Sequence, residues 1–63
     1  MIGKILRTMR RKSNFSQEQI AKLTGFVRTT ISQYESEVNQ PDFETIEKIA
    51  KICGYEVIFR NKN

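Results

Sequence analysis

Residues 16–36 read S-Q-E-Q-I-A-K-L-T-G-F-V-R-T-T-I-S-Q-Y-E-S, and their spacing predicts two helices joined by a tight turn at Gly25. Ser16 stands as an N-cap, Gln19 three residues on closes a capping box, and Phe15 and Ile20 are spaced as a hydrophobic staple. Ile20, Ala21 and Leu23 supply the apolar face of this first helix. Thr24-Gly25 ends it, because glycine takes a left-handed terminal conformation without a Cβ penalty.

The second helix is expected over residues 27–36. At roughly 100° per residue, Val27, Thr30, Ile31 and Tyr34 fall on one side and Arg28, Thr29, Ser32, Gln33 and Ser36 on the other. The second set is short or flexible, hydrogen-bonding and carries one charge. A merely solvated face usually carries Lys and Glu. These groups suit base edges instead: Arg pairs with guanine, Gln with adenine, and Thr offers a methyl to thymine. The plain alternative is an indifferent polar surface. The capping box, the turn and the helix downstream all agree with the base-reading view.

A helix pair this short cannot bury its apolar side alone, so the flanks must support it. Upstream, Ile2, Ile5, Leu6 and Met9 repeat at helical spacing and predict a helix to about Lys12. Lys4, Arg7, Arg10, Arg11 and Lys12 put five positive charges and no negative one in the first twelve residues. Arg11 and Lys12, near the helix end, are the candidates for a polyanionic backbone, against the bland reading of a solvated helix face. Downstream, residues 36–40 form a polar loop, Pro41 stops it, and Asp42 caps a fourth helix carrying Phe43, Ile46, Ile49, Ala50 and Cys53 toward the core. Residues 42–53 hold three acids against two lysines, so the positive charge is concentrated near the helix pair.

Sixty-three residues with 38% apolar and 29% charged side chains fit one small globular domain, marginal in stability unless well packed or oligomeric. The net charge of +4 suggests a polyanionic partner. One cysteine and no histidine leave no internal disulfide and no four-ligand metal site, so no metal or other cofactor is expected. No apolar run approaches the roughly 20 residues that cross a bilayer, and the N-terminus lacks a signal-peptide core. The expectation is a cytoplasmic protein with no membrane association. Catalysis is not expected either, for want of a histidine, a paired-acid pocket, a phosphate-cradling glycine loop or an activated nucleophile.

The succession S-Q-E-Q-I-A-K-L-T-G, R-T-T-I-S-Q-Y-E and P-D-F-E-T-I-E-K-I-A-K-I-C-G resembles the lambda-repressor-like, Cro/C1-type (XRE) helix-turn-helix family over residues 1–54. The resemblance implies an all-α domain of four, or five, helices whose third helix enters the major groove of double-stranded DNA. Carried over position by position, it places Arg28, Thr29 and Gln33 at base-contacting slots and Gln17, Ser36 and Asn39 at slots that meet phosphate; Ser32, on the same polar face of the helix, is a further candidate for the DNA backbone. It also implies that Arg10 and Glu35 tie the first helix to the end of the reading helix. Two positions depart from the family: Val27 where a capping Ser or Thr is frequent, and Glu37 where a glycine follows the reading helix.

The tail, residues 55–60, alternates Tyr55, Val57 and Phe59 with Glu56, Ile58 and Arg60 and is predicted to be a short β-strand. No second strand exists in the chain, so Tyr55, Val57, Ile58 and Phe59 are expected to pair with a second copy in a two-fold dimer. The alternative is that Tyr55, Val57 or Phe59 folds back on the helices as coil. Residues 61–63 are expected to be disordered. The sequence therefore points to a homodimeric, sequence-specific reader of duplex DNA that regulates transcription, most simply as a repressor. The short G-Y-x-V-x-F tail also resembles some antitoxins, which gives the second reading: a protein-interaction module that captures a partner such as a toxin and regulates its own operon.

Overall fold

The computed structural model describes residues 1–61, and within them the chain forms four helices, α1 (Ile2–Lys12), α2 (Gln17–Thr24), α3 (Arg28–Glu35) and α4 (Phe43–Ile52). α2 lies against α3 and α4, and α1 against the same two helices, so α1 and α2 grip α3 from two sides. Leu6 and Met9 of α1, Ile20 and Ala21 of α2, Ile31 of α3, Ile49 and Ala50 of α4 and Cys53 form the buried core.

The start of α2 matches its reading. The Gln19 N–H donates to Ser16 Oγ at 3.0 Å and the Ser16 N–H donates to Gln19 Oε1 at 2.8 Å, a closed capping box. Gly25 ends the helix at φ 82°, the left-handed conformation expected of it. At the start of α4, Asp42 Oδ1 accepts from the Thr45 N–H at 2.9 Å, and these bonds hold its carboxyl below the usual carboxylate range.

Some apolar positions are redistributed. α2 turns Thr24 inward, 5% exposed, and leaves Leu23 55% exposed. The buried Thr24 hydroxyl is satisfied by donating to the Ile20 and Ala21 carbonyls at 2.8 and 3.1 Å. In α1 the inward line is Gly3, Leu6 and Met9, so Ile5 is shifted to the flank, where it lines an open groove with Ile46, Ala50 and Val57. Phe43 is half exposed at the first turn of α4, where its ring stacks on Phe59 at 5.4 Å.

The expected C-terminal strand does not form. Among the described residues no strand is present, and the segment after Gly54 runs as coil. The cause is the one that made a lone strand doubtful: a single copy offers no backbone partner for its N–H and C=O groups. Val57 packs against the core instead, while Ile58 and Phe59 stay largely outside. Of the tail expected to be disordered, residue 61 is described and residues 62 and 63 lie outside the described residues.

Cys53 is 7% exposed, and its burial pushes the thiol upward from its ordinary range, opposed by Ser13 and Arg10. No helix among the described residues is long and apolar enough to cross a membrane.

Candidate nucleic-acid interface

α3 sorts its side chains as the periodicity requires. Ile31 is 2% exposed and anchors the inner face, while Arg28, Thr29 and Ser36 are exposed and Ser32 and Gln33 half-buried on the outer one. Val27 is the exception. It sits at the N-cap with extended backbone, φ −99° and ψ 158°, which takes it out of the helical register, so it points to solvent at 66% exposure rather than inward with Ile31. As its residue type foretells, it supplies no side-chain cap to the first turn of α3.

A polar frame fixes the helix from behind. Arg10 Nε donates to Glu35 Oε2 at 2.6 Å and Arg10 Nη2 to Glu35 Oε1 at 3.0 Å, with side chains only 11% and 5% exposed. Arg10 Nη1 also donates to the Phe15 carbonyl at 2.8 Å. The hydrogen bond from Arg10 to Glu35 raises the guanidinium above its ordinary range, with burial acting the other way. Gln17 Nε2 donates to Glu35 Oε1 at 3.1 Å, and Arg28 Nη1 donates to Gln17 Oε1 at 3.3 Å. One chain of contacts therefore runs from α1 through Glu35 and Gln17 to the first residue of α3. Gln17 is engaged on both sides of its amide.

The loop after α3 closes back on Gln33. Its main-chain carbonyl accepts from the Val38 and Asn39 N–H groups at 3.0 and 3.3 Å and from the Ser36 hydroxyl at 3.4 Å. Its side-chain oxygen accepts from Asn39 Nδ2 at 2.8 Å. The reversal is made by Glu37 at φ 66°, a left-handed conformation a glycine would take more cheaply. Glu37 is compensated at its other end. Its carboxylate pairs with the Met1 amine, and that contact, helped by the Gly3 and Lys4 N–H groups, holds the Glu37 carboxyl below the usual range.

The basic residues are less gathered than their sequence positions suggest. Arg11 and Lys12 are exposed at the end of α1, but Lys12 borders the groove between α1 and α4 together with Lys4. Two features escape the sequence reading. One is Gly3, where an added Cβ would collide with the Tyr34 carbonyl and meet the Glu35 carbonyl at 2.7 Å, so α1 crosses the end of α3 at backbone contact. A glycine on the inward line of a helix is the signal that could have shown it. The other is the pairing of Gln17 with Arg28 and of Asn39 with Gln33, which no spacing rule reports because each joins separate elements.

A helix-turn-helix family model matches residues 6–59 of this chain. The chain is 30% identical over 59 residues to the SPbeta prophage-derived uncharacterized HTH-type transcriptional regulator YonR of Bacillus subtilis (strain 168), covering 94% of this chain and 55% of that one. It is 32% identical over 57 residues to the cryptic phage CTXphi transcriptional repressor RstR of Vibrio cholerae, covering 90% of this chain and 51% of that one. The chain thus spans about half the length of the curated relatives it matches. No solved structure matches it significantly. With Gly25 turning α2 into α3, and the Arg10–Glu35 pair holding α3 in place, the match over residues 6–59 shows that this chain belongs to the helix-turn-helix family of Cro/C1 (XRE) type.

Proposed function

We propose that this protein is a sequence-specific, double-stranded DNA-binding transcriptional regulator that acts as a homodimeric repressor on a pseudo-palindromic operator in the cytoplasm. The observation that carries the reading is the outer face of α3. It presents uncharged hydrogen-bonding groups and one arginine on a helix pinned at both ends, by Gln17 and by Glu35. Arg28, Thr29 and Gln33 meet base edges and set the choice of sequence. Ser32, Ser36, Arg11 and Lys12 meet phosphate and set affinity and register, with Gln17 and Asn39 offering the donor hydrogens their internal contacts leave over. The transcriptional regulator and the phage repressor named above support the regulatory part of this reading.

Random-site selection with the purified protein tests it, because both the enriched bases and the symmetry of the site are informative. In a two-fold dimer the two α3 helices enter successive major grooves about 34–36 Å apart. Gln33→Ala is expected to relax the preference at one base position per half-site and to cost about 1–3 kcal/mol at the selected site. Equal losses on selected and random DNA would remove Gln33 from the base-reading set. Lys12→Ala is expected to weaken every sequence alike and to lower the salt slope of binding by about 1. An unchanged slope would place the end of α1 away from the phosphates.

The dimer uses the exposed apolar part of the tail: Tyr55, Ile58 and Phe59 meet their counterparts in a second copy, while Val57 stays packed on its own core. Ile58 and Phe59 are 67% and 80% exposed, a large apolar exposure for so small a domain. Phe59→Glu is expected to shift sedimentation equilibrium toward monomer and to shorten the footprint to one half-site. The same exposure favours the second reading, in which the tail captures another protein, such as a toxin, while the helices bind the operon's own DNA. Monomeric wild-type protein that nonetheless binds half-sites would favour that reading.

A further inference from the structure

The contact between Asn39 and Gln33 carries more than a loop conformation. A carboxamide has two unlike ends, an oxygen that accepts and an NH2 that donates. A glutamine free to choose reads adenine with both, accepting from N6 and donating to N7. Here the choice is constrained before any ligand arrives. Asn39 Nδ2 donates to Gln33 Oε1 at 2.8 Å, so the oxygen is turned toward the loop and the NH2, on the other side of Cδ within the amide plane, points away from it. The loop that places Asn39 is itself fixed on Gln33 through the Val38 and Asn39 N–H groups.

We propose that Asn39 is a specificity-positioning residue: it holds the Gln33 amide with its NH2 toward the groove, so that Gln33 selects guanine, whose N7 and O6 both accept, over adenine. The inference rests on the reading that Gln33 meets base edges. It differs from a phosphate role for Asn39 in what it says about sequence. A phosphate contact changes affinity uniformly, whereas an amide clamp changes which base is preferred. The chemistry also predicts an inversion. An aspartate at position 39 can only accept, so it takes the Gln33 NH2 and turns Oε1 toward the groove, where it accepts from the N4 amine of cytosine or the N6 amine of adenine.

Random-site selection with wild type, Gln33→Ala, Asn39→Ala and Asn39→Asp tests this, with thermal melts confirming that each variant folds. Gln33→Ala identifies the base position concerned by relaxing it. At that position wild type is expected to enrich guanine, Asn39→Ala to move the guanine-to-adenine ratio toward adenine by about tenfold, and Asn39→Asp to enrich cytosine and adenine, the bases with a major-groove amine, over guanine. Asn39 variants that keep the wild-type preference while binding all sequences more weakly overturn the proposal and return Asn39 to the backbone. Adenine enriched by wild type overturns it as well. If Gln33→Ala relaxes no position, the base-reading role of Gln33 fails first, an outcome separable from a failure of the clamp alone.

Discussion

Arg10→Ala is expected to cost about 3–5 kcal/mol of folding stability, the range for breaking a buried ion pair by removing one partner. The Glu35 side chain is 5% exposed and takes two of its three donated hydrogen bonds from Arg10, leaving only Gln17 when the guanidinium goes. The Phe15 carbonyl loses its donor in the same step. In a domain of this size the total stability is near the low end of roughly 5–15 kcal/mol, so the variant should be largely unfolded at 37 °C. Urea unfolding followed by circular dichroism gives the number. The converse variant separates charge from packing: Arg10→Met with Glu35→Leu removes both charges and should recover most of the loss, since paired apolar replacements of buried ions are often neutral or better. A loss under 1 kcal/mol for Arg10→Ala would mean that water reaches Glu35 and that the pair does not hold α3.

Gly3→Ala is expected to destabilise although helix propensity argues the reverse. Alanine gains roughly 0.5–1 kcal/mol over glycine within a helix. The new Cβ, however, would collide with the Tyr34 carbonyl oxygen and sit 2.7 Å from that of Glu35, both backbone atoms that cannot rotate away. α1 must lift from α3, at an overpacking cost of about 1–3 kcal/mol or more. A drop in Tm of roughly 5–15 °C follows for a domain of this size, and the larger Gly3→Val should abolish a cooperative melt. A Tm raised by Gly3→Ala would show that the crossing of α1 over α3 is looser than its backbone distances. Because the displaced helix carries Arg10, DNA binding should fall in parallel with stability.

The two variants also show which parts of the molecule the sequence makes legible. The Ser16–Gln19 box and the Gly25 turn are local chemistry, written within a few residues, and the structure has them in place. Arg10–Glu35 is separated by 25 positions and was legible only through resemblance to a family. Gly3 was legible only as a glycine on the inward line of α1; what it makes room for was not, because a missing side chain matters only where another backbone arrives, and that arrival depends on the tertiary crossing. Leu23 and Val27 misled for a related reason. Helical periodicity assigns faces, but Thr24 could turn inward once its hydroxyl found the Ile20 and Ala21 carbonyls, and Val27 left the helical register by being the cap. The tail misled through propensity: β-branched and aromatic residues favour a strand, yet a strand without a partner leaves its backbone unpaired. At the candidate site, the outward placement of Arg28 and Thr29 could be read from the spacing. The hydrogen bonds that preset Arg28 and Gln33 could not, since their partners lie on α2 and in the loop.

The closed environment of Cys53 makes the chain its own stopwatch. It holds one sulfhydryl, buried in the core at the C-cap of α4, where the Ser13 hydroxyl donates to the Cys53 carbonyl, so an alkylating reagent gains access only when the interior opens. Because the folded protein keeps this group protonated to higher pH than an open chain does, the stabilisation it lends is full in acid and neutral solution and fades as alkali carries the medium through its ionisation. The labelling rate at neutral pH therefore times the opening of the interior, and wild type, Arg10→Ala and Gly3→Ala can be ranked on that clock without any added fluorophore.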